Sequence, residues 1–210
     1  MSYSLLHSPL EEIEFTSIDL ETSGLYPKES EILEIAALRF NKDQILSSFS
    51  SFIKPEKTIP PEVTAIHGLT STMLKDSPSL PDILRDFFDF TSNSILIIQN
   101  ASFDLSFLLF KKNVPFDFLE LPVFCTVQLS RKVFPEFQKH NLVSLRKNLK
   151  IGNYRKRTEA SSHLHEAIDD SYAAMEVFKK CLLKNNGWNK KFEQIVHHEK
   201  GFKLVKDYRK

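Results

Sequence analysis

The stretch FTSIDLETSGLYP, residues 15–27, sets the fold of the whole chain. Phe15–Leu20 reads as a buried strand, and Asp19 and Glu21 lie two residues apart at its end. Side chains alternate across a strand, so these two carboxylates project from the same face. Paired acids on one face of an otherwise apolar strand are costly unless something compensates them. A shared metal ion would do so; the plainer alternative is a surface pair on an edge strand. Thr22, Ser23 and Gly24 follow at once, and a glycine there suits a tight approach of backbone to a ligand.

Further along, QNASFDLSFLL (99–109) and HLHEAIDDSYAAMEVF (163–178) supply matching chemistry. Asp104 falls at the start of a predicted helix, after the apolar strand Ile95–Ile98. Taken alone, an acid there could simply favour the helix dipole. Asn100 or Ser102 could cap the same helix. His165 and Asp170 are five residues apart, which on one regular helix turns by about 140°. They serve one site only if His165 enters from the loop before the helix while Asp170 projects from it. Asp169 reads as an exposed helix acid, and His163 as an exposed loop histidine. Asp19, Glu21, Asp104 and Asp170 with His165 then look like a divalent-metal site with a general base. Carboxylate oxygens suit Mg²⁺ or Mn²⁺. Two such ions about 3.5–4 Å apart can hold the attacking and leaving oxygens of a phosphoryl transfer.

The pattern around these segments is α/β. Ile32–Phe40 and Ile45–Ile53 read as strands joined by the short polar link Asn41–Gln44, which suits a hairpin. Leu80–Phe90 has helical spacing of its apolar residues, and Phe103–Phe110 follows as a helix. Val123–Leu129 carries a fifth strand into a helix; Leu142–Leu149 and Glu166–Leu183 are further helices. Gly152–Ser162 is a polar, basic loop. We expect one domain over residues 12–183, a mixed central sheet of about five strands flanked by helices. Residues 184–210 are expected to form a basic C-terminal tail, with a docking segment, a nucleic-acid contact and a disordered end as the open readings.

Net charge is only +1, but it is unevenly distributed. Pro9–Glu34 holds eight acids against one lysine, and Arg131–Arg157 holds nine Lys/Arg against one acid. Lys184–Lys210 has eight Lys/Arg against three acids. An acidic centre beside basic surfaces fits a metal nuclease, although solvated helix faces would give similar counts. Cys125 and Cys181 lack metal or redox spacing and read as small buried side chains. The N-terminus lacks a signal-peptide pattern, and no run approaches the ~18–20 apolar residues of a membrane span. A cytoplasmic location is expected.

On these motifs the chain resembles the DEDDh 3′→5′ exonucleases, which have an RNase H-like fold. Within them it is most similar to the proofreading epsilon subunits of bacterial DNA polymerase III. The D-x-E-T-x-G-L/M pattern falls on Asp19, Glu21, Thr22, Gly24 and Leu25. N-x-x-F-D falls on Asn100, Phe103 and Asp104; H-x-A-x-x-D-x-x-A falls on His165, Ala167, Asp170 and Ala173. IPPEVTAIHGLT (59–70) and TVQLSRKVFP (126–135) resemble two further family segments. Gln99 and Cys125 depart from the usual residues, and the loop 152–164 is longer and more basic than usual. A tyrosine subclass is set aside, because Glu166 stands four residues before Asp170.

The resemblance implies that Asp19, Glu21, Asp104 and Asp170 hold two Mg²⁺ or Mn²⁺ ions and that His165 takes the proton of the attacking water. It implies that Glu62 and His67 contact the terminal nucleotide and that Leu25 wedges against its base, although His67 also suits a packing role before the turn at Gly68. Arg155, Lys156 and Arg157 are candidates for the strand backbone, or a solvated loop. The implied substrate is a single-stranded or frayed DNA 3′ end, with a polymerase subunit as a possible partner. An RNA-processing exonuclease of the same family, or a non-catalytic nucleic-acid- or polymerase-binding module, are the competing readings.

Overall fold

The computed structural model describes residues 8–110, 114–154, 166–192 and 203–209. Its framework begins with three antiparallel strands: β1 (Phe15–Thr22), β2 (Ile32–Phe40) and β3 (Ile45–Phe52). The link between β2 and β3 closes as the sequence predicts. Asn41 N–H donates to Gln44 O at 3.0 Å, and Asn41 Oδ1 accepts the N–H groups of Asp43 and Gln44. Helices α1 (Pro61–His67), the short α2 (Ser71–Leu74) and α3 (Leu80–Thr91) then lead to β4 (Ile95–Ile98). Next come α4 (Ala101–Phe110), the short α5 (Phe116–Leu119), β5 (Pro122–Cys125), α6 (Thr126–Val133) and α7 (Leu142–Leu149). The long α8 (Ala167–Lys184) and the two-residue β6 (Lys203–Leu204) follow, and 3₁₀ turns lie at Leu10–Glu12, Gly187–Asn189 and Val205–Tyr208.

The sheet is six-stranded in the order β3-β2-β1-β4-β5-β6, with β1, β4 and β5 parallel. Its two faces follow from period-two alternation. On β4, Ile95 and Ile97 join Phe15, Phe40 and Phe178 on the face covered by α8, whereas Leu96 and Ile98 join Ile18, Phe87 and Leu105 on the opposite face. The same parity sends Asp19 and Glu21 towards α8. A register shift between Glu21 and Thr22 ends the β1–β2 ladder, and such a bulge re-aims the side chains beside it.

The expected count of about five strands misses β6. The expected tail is also more attached than the sequence suggests. Trp188 and Phe192 lie in the core with Phe15 and Phe178; the Trp188 ring meets these two edge-on at 6.0 and 6.3 Å. Val205 is fully buried in the other cluster. Apolar residues among the lysines therefore carry these parts of the chain into the fold. Among the described residues, no helix is long and apolar enough to cross a membrane.

A local defect lies on β1. Thr16 is fully buried on β1, and among the described residues its hydroxyl has no hydrogen-bond partner. A buried, unpaired hydroxyl costs about 1–3 kcal/mol. Thr16→Val keeps the β-branched shape and removes the hydroxyl. It is expected to raise unfolding free energy by about 1 kcal/mol in urea titration; an equal loss would show that the hydroxyl is satisfied in solution.

Candidate active site

The site forms where parallel β1 and β4 end. Asp19 and Glu21 come from β1, and Asp170 from the first turn of α8, which lies against β1 and β2. One carboxylate oxygen from each of Asp19, Glu21 and Asp170 lies within 4.8 Å of the other two. Asp104, in the first turn of α4, is almost fully buried, and its Oδ1 accepts the N–H of Leu20 at 3.2 Å. That bond ties the second acidic segment to the strand carrying the first.

A fifth carboxylate escaped the sequence reading. Glu34 is buried on β2 directly opposite Glu21 and accepts the N–H of Ala167 at the start of α8, at 3.3 Å. Like charges placed opposite each other on a sheet repel. Their combined effect is clearest at Asp19. Its carboxyl is held well above the usual carboxylate range, first by lost hydration, then by the charges of Asp104, Asp170, Glu21 and Glu34. Burial, with a smaller contribution from Asp170, pushes Asp104 up to about 8 against the opposing pull of its backbone hydrogen bonds. Such excess negative charge calls for a cation, and hard oxygen donors suit a divalent one. The residues present therefore fit a divalent metal.

Arg146 was also missed. From α7, its Nη2 donates to Asp170 Oδ1 at 3.0 Å and to Asp169 Oδ2 at 2.9 Å. Its Nη1 donates to Gly152 O at 3.1 Å and lies 3.3 Å from Asn153 Oδ1. Asp169 is consequently not the exposed helix acid expected. It is buried, its Oδ1 also accepting the Tyr154 N–H at 2.6 Å. A charged acid enters the interior here because a guanidinium and a backbone amide meet it.

The turn after β1 is built mostly from its own bonds. Thr22 Oγ1 donates to Gly24 O at 2.8 Å, and Ser23 Oγ accepts the Glu31 N–H at 2.9 Å. A Cβ on Gly24 would lie 2.5 Å from Ser30 Oγ. Among the described residues, the close approach that requires this glycine is thus to Ser30. The turn leaves Leu25 71% exposed, so its side chain is available to a ligand. Glu62 is exposed in the first turn of α1; His67, at its end, is buried and its Nδ1 accepts the Leu69 N–H at 3.0 Å. That bond gives His67 the turn-packing role held as the alternative, alongside any substrate contact. Asn100 stands before α4 with φ of 57°, and Ser102 lies inside the helix, so Ser102 is not the cap. His165, His163, Arg155, Lys156 and Arg157 lie outside the described residues.

A mixed sheet with clustered carboxylates at the ends of its parallel strands is the architecture of the RNase H-like nucleases. Residues 16–178 match the family model RNase_T, described as exonuclease, and the chain belongs to that family. It is 32% identical over 196 residues to the DNA polymerase III subunit epsilon of Treponema pallidum, covering 89% of this chain and 86% of that protein. It is 33% identical over 184 residues to a PolC-type DNA polymerase III of Bacillus subtilis, covering 87% of this chain. The chain spans only 12% of that polymerase's length. Among solved structures, exonuclease X in complex with 5′-overhanging duplex DNA superposes with a TM-score of 0.68 at 24% identity. The match covers 87% of this chain and 99% of that one, and shows the shared fold.

Proposed function

We propose that the protein is a 3′→5′ exonuclease that removes nucleotides from DNA 3′ ends during proofreading or repair. The observation that carries this is the convergence of Asp19, Glu21 and Asp170 within 4.8 Å, with Asp104 tied to the same strand. Similarity to a polymerase epsilon subunit favours DNA and a polymerase partner. Asp19, Glu21, Asp104 and Asp170 would hold two Mg²⁺ or Mn²⁺ ions. When bound, such a pair supplies Lewis-acid activation of water and charge stabilisation for the leaving 3′-oxygen.

The chain's own residues do the rest. Arg146 and the Ala167–Glu34 bond fix the start of α8, and hence the direction of Asp170. Leu25 meets the terminal base, Glu62 and His67 hold its nucleotide, and Thr22 and Gly24 shape the turn beneath it. Arg155, Lys156 and Arg157 take backbone phosphates. His165 accepts the proton of the attacking water, a role suited to an imidazole whose ordinary pKa lies near neutral pH.

The test uses 5′-labelled single-stranded DNA and its RNA counterpart, each with Mg²⁺, Mn²⁺ or EDTA. Stepwise shortening of DNA from its 3′ end that EDTA abolishes is expected. Faster RNA shortening would move the protein to RNA processing, and binding without shortening would make it a non-catalytic module. His165→Ala should slow single-turnover cleavage by roughly 10²–10⁴-fold, the usual range for general acid–base catalysis. His163→Ala should change little. The reverse ranking would mean that the other histidine is the base.

A further inference from the structure

Beside the acidic centre lies a cavity of about 920 Å³ with the opposite electrostatic character. One wall is α4, whose residues from Ser102 to Phe110 line it over about 12 Å at 1.5 Å per residue. At one point the lining includes Leu25 and Phe103, the neighbour of Asp104. It also includes Arg131 from α6 and Lys203, Tyr208 and Arg209 from the C-terminal segment.

Charge and aromatic surface coincide there. Lys28, Arg131, Lys203 and Arg209 are its cations, and Asp207 is its acid. Asp207 is already engaged, since its Oδ2 accepts the Leu204 N–H at 2.8 Å. Phe110 is 54% exposed; Tyr208 packs partly buried against the core beneath Lys203, whose Nζ sits 4.9 Å from its ring centroid. Cations beside an open ring are what a single strand needs: phosphates pair with the first and a base stacks on the second.

The C-terminal wall is held in place by bonds that leave these cations available. β6 pairs with β5, Val205 N–H donates to Leu121 O at 3.0 Å, and Lys206 pairs with Glu120 at 2.7 Å. Lys206 is thereby spent on anchoring, whereas Arg131, Lys203 and Arg209 are exposed beside the cavity. A lysine on a short edge strand also blocks further strand pairing. That purely structural role does not require Arg131 on α6 or Arg209 past the strand.

We propose that Arg131, Lys203 and Arg209, with the exposed ring of Phe110, form a track for the strand 5′ of the nucleotide being removed. This rests on the exonuclease reading and adds a substrate subsite built partly by the C-terminal segment. Long single strands engage the track; a lone terminal nucleotide does not reach it.

The experiment replaces the three exposed cations together, Arg131→Gln/Lys203→Gln/Arg209→Gln, in the full chain. Substrates are 12-nucleotide oligo(dT), oligo(rU) of equal length, and the p-nitrophenyl ester of thymidine 5′-monophosphate. The variant should raise KM for the long strands roughly tenfold and flatten the slope of log K against log salt by about 2, from about 0.7 per phosphate contact. Turnover of the ester should be unchanged. Equal loss on the ester would place these charges at the catalytic centre and overturn the track, as would unchanged KM and salt slope on both long strands. Anisotropy of labelled oligo(dT) in EDTA separates the track from catalysis. A wild type that cleaves nothing refutes the exonuclease reading, while weaker binding by the variant still upholds the track. Equal binding by both proteins refutes the track.

Discussion

Asp19→Asn is expected to abolish nuclease turnover while making the metal-free protein more stable. The rate should fall by roughly three orders of magnitude, because bound ions supply several kcal/mol and about 1.4 kcal/mol is tenfold. The stability gain has a separate cause. Asp19 carries the charge that the surrounding acids most oppose, and its carboxyl is held well above the usual range by burial first and then by those acids. An amide removes that conflict. The same physics gives a pH dependence in EDTA. Asp104 stands near 8 when folded against an ordinary 3.8, so the folded state holds a proton that the unfolded state has released across that window. Its contribution to stability is present below about 4 and is lost as pH rises through about 8. The melting temperature of the metal-free protein should therefore fall from pH 5 to pH 8, and Asp19→Asn should flatten the fall. Saturating Mg²⁺ or Mn²⁺ should lift the alkaline end most. A melting temperature that rose across this window in EDTA would contradict the carboxylate network.

How much of this the sequence discloses depends on the length scale of the cause. Asp19 and Glu21 are legible because strand alternation alone puts them on one face, and the structure groups them with Asp170. The link Asn41–Gln44 is legible because a turn made by Asn41 is a local event. Glu34 is hidden within ILEIAALRF, where it reads, like Arg39, as a polar interruption of an apolar run. Its parity with Ala36, Leu38 and Phe40, all buried, is the signal that could have found it. β6 is hidden because two residues carry no periodicity. Asp169 was read as exposed because its partner, Arg146, lies 23 residues earlier on another helix. Neither residue predicts the other; only the packing of α7 beside α8 joins them.

That pairing gives the second large expected effect. Arg146→Ala should lower the melting temperature of the metal-free protein by about 6–20 °C. Breaking a buried ion pair costs about 3–5 kcal/mol, and a chain of this size shifts roughly 2–4 °C per kcal/mol. The estimate suits this site because the side chains of Arg146, Asp169 and Asp170 are 16%, 4% and 16% exposed. Arg146→Lys keeps the charge but has no planar fork to reach both acids and Gly152 O together, so it should recover only part of the loss. Metal dependence separates positioning from mere stability. Without the guanidinium the cluster is more negative, so half-maximal activation should need no more divalent ion than in the wild type. With Asp170 less firmly aimed, the saturating rate should still fall by about tenfold to a hundredfold, as small misplacements do. Measured well below the melting temperature, a normal saturating rate with an unchanged or lowered metal requirement would mean that Arg146 does not orient Asp170. Arg146 would then serve only to neutralise the buried charge of Asp169.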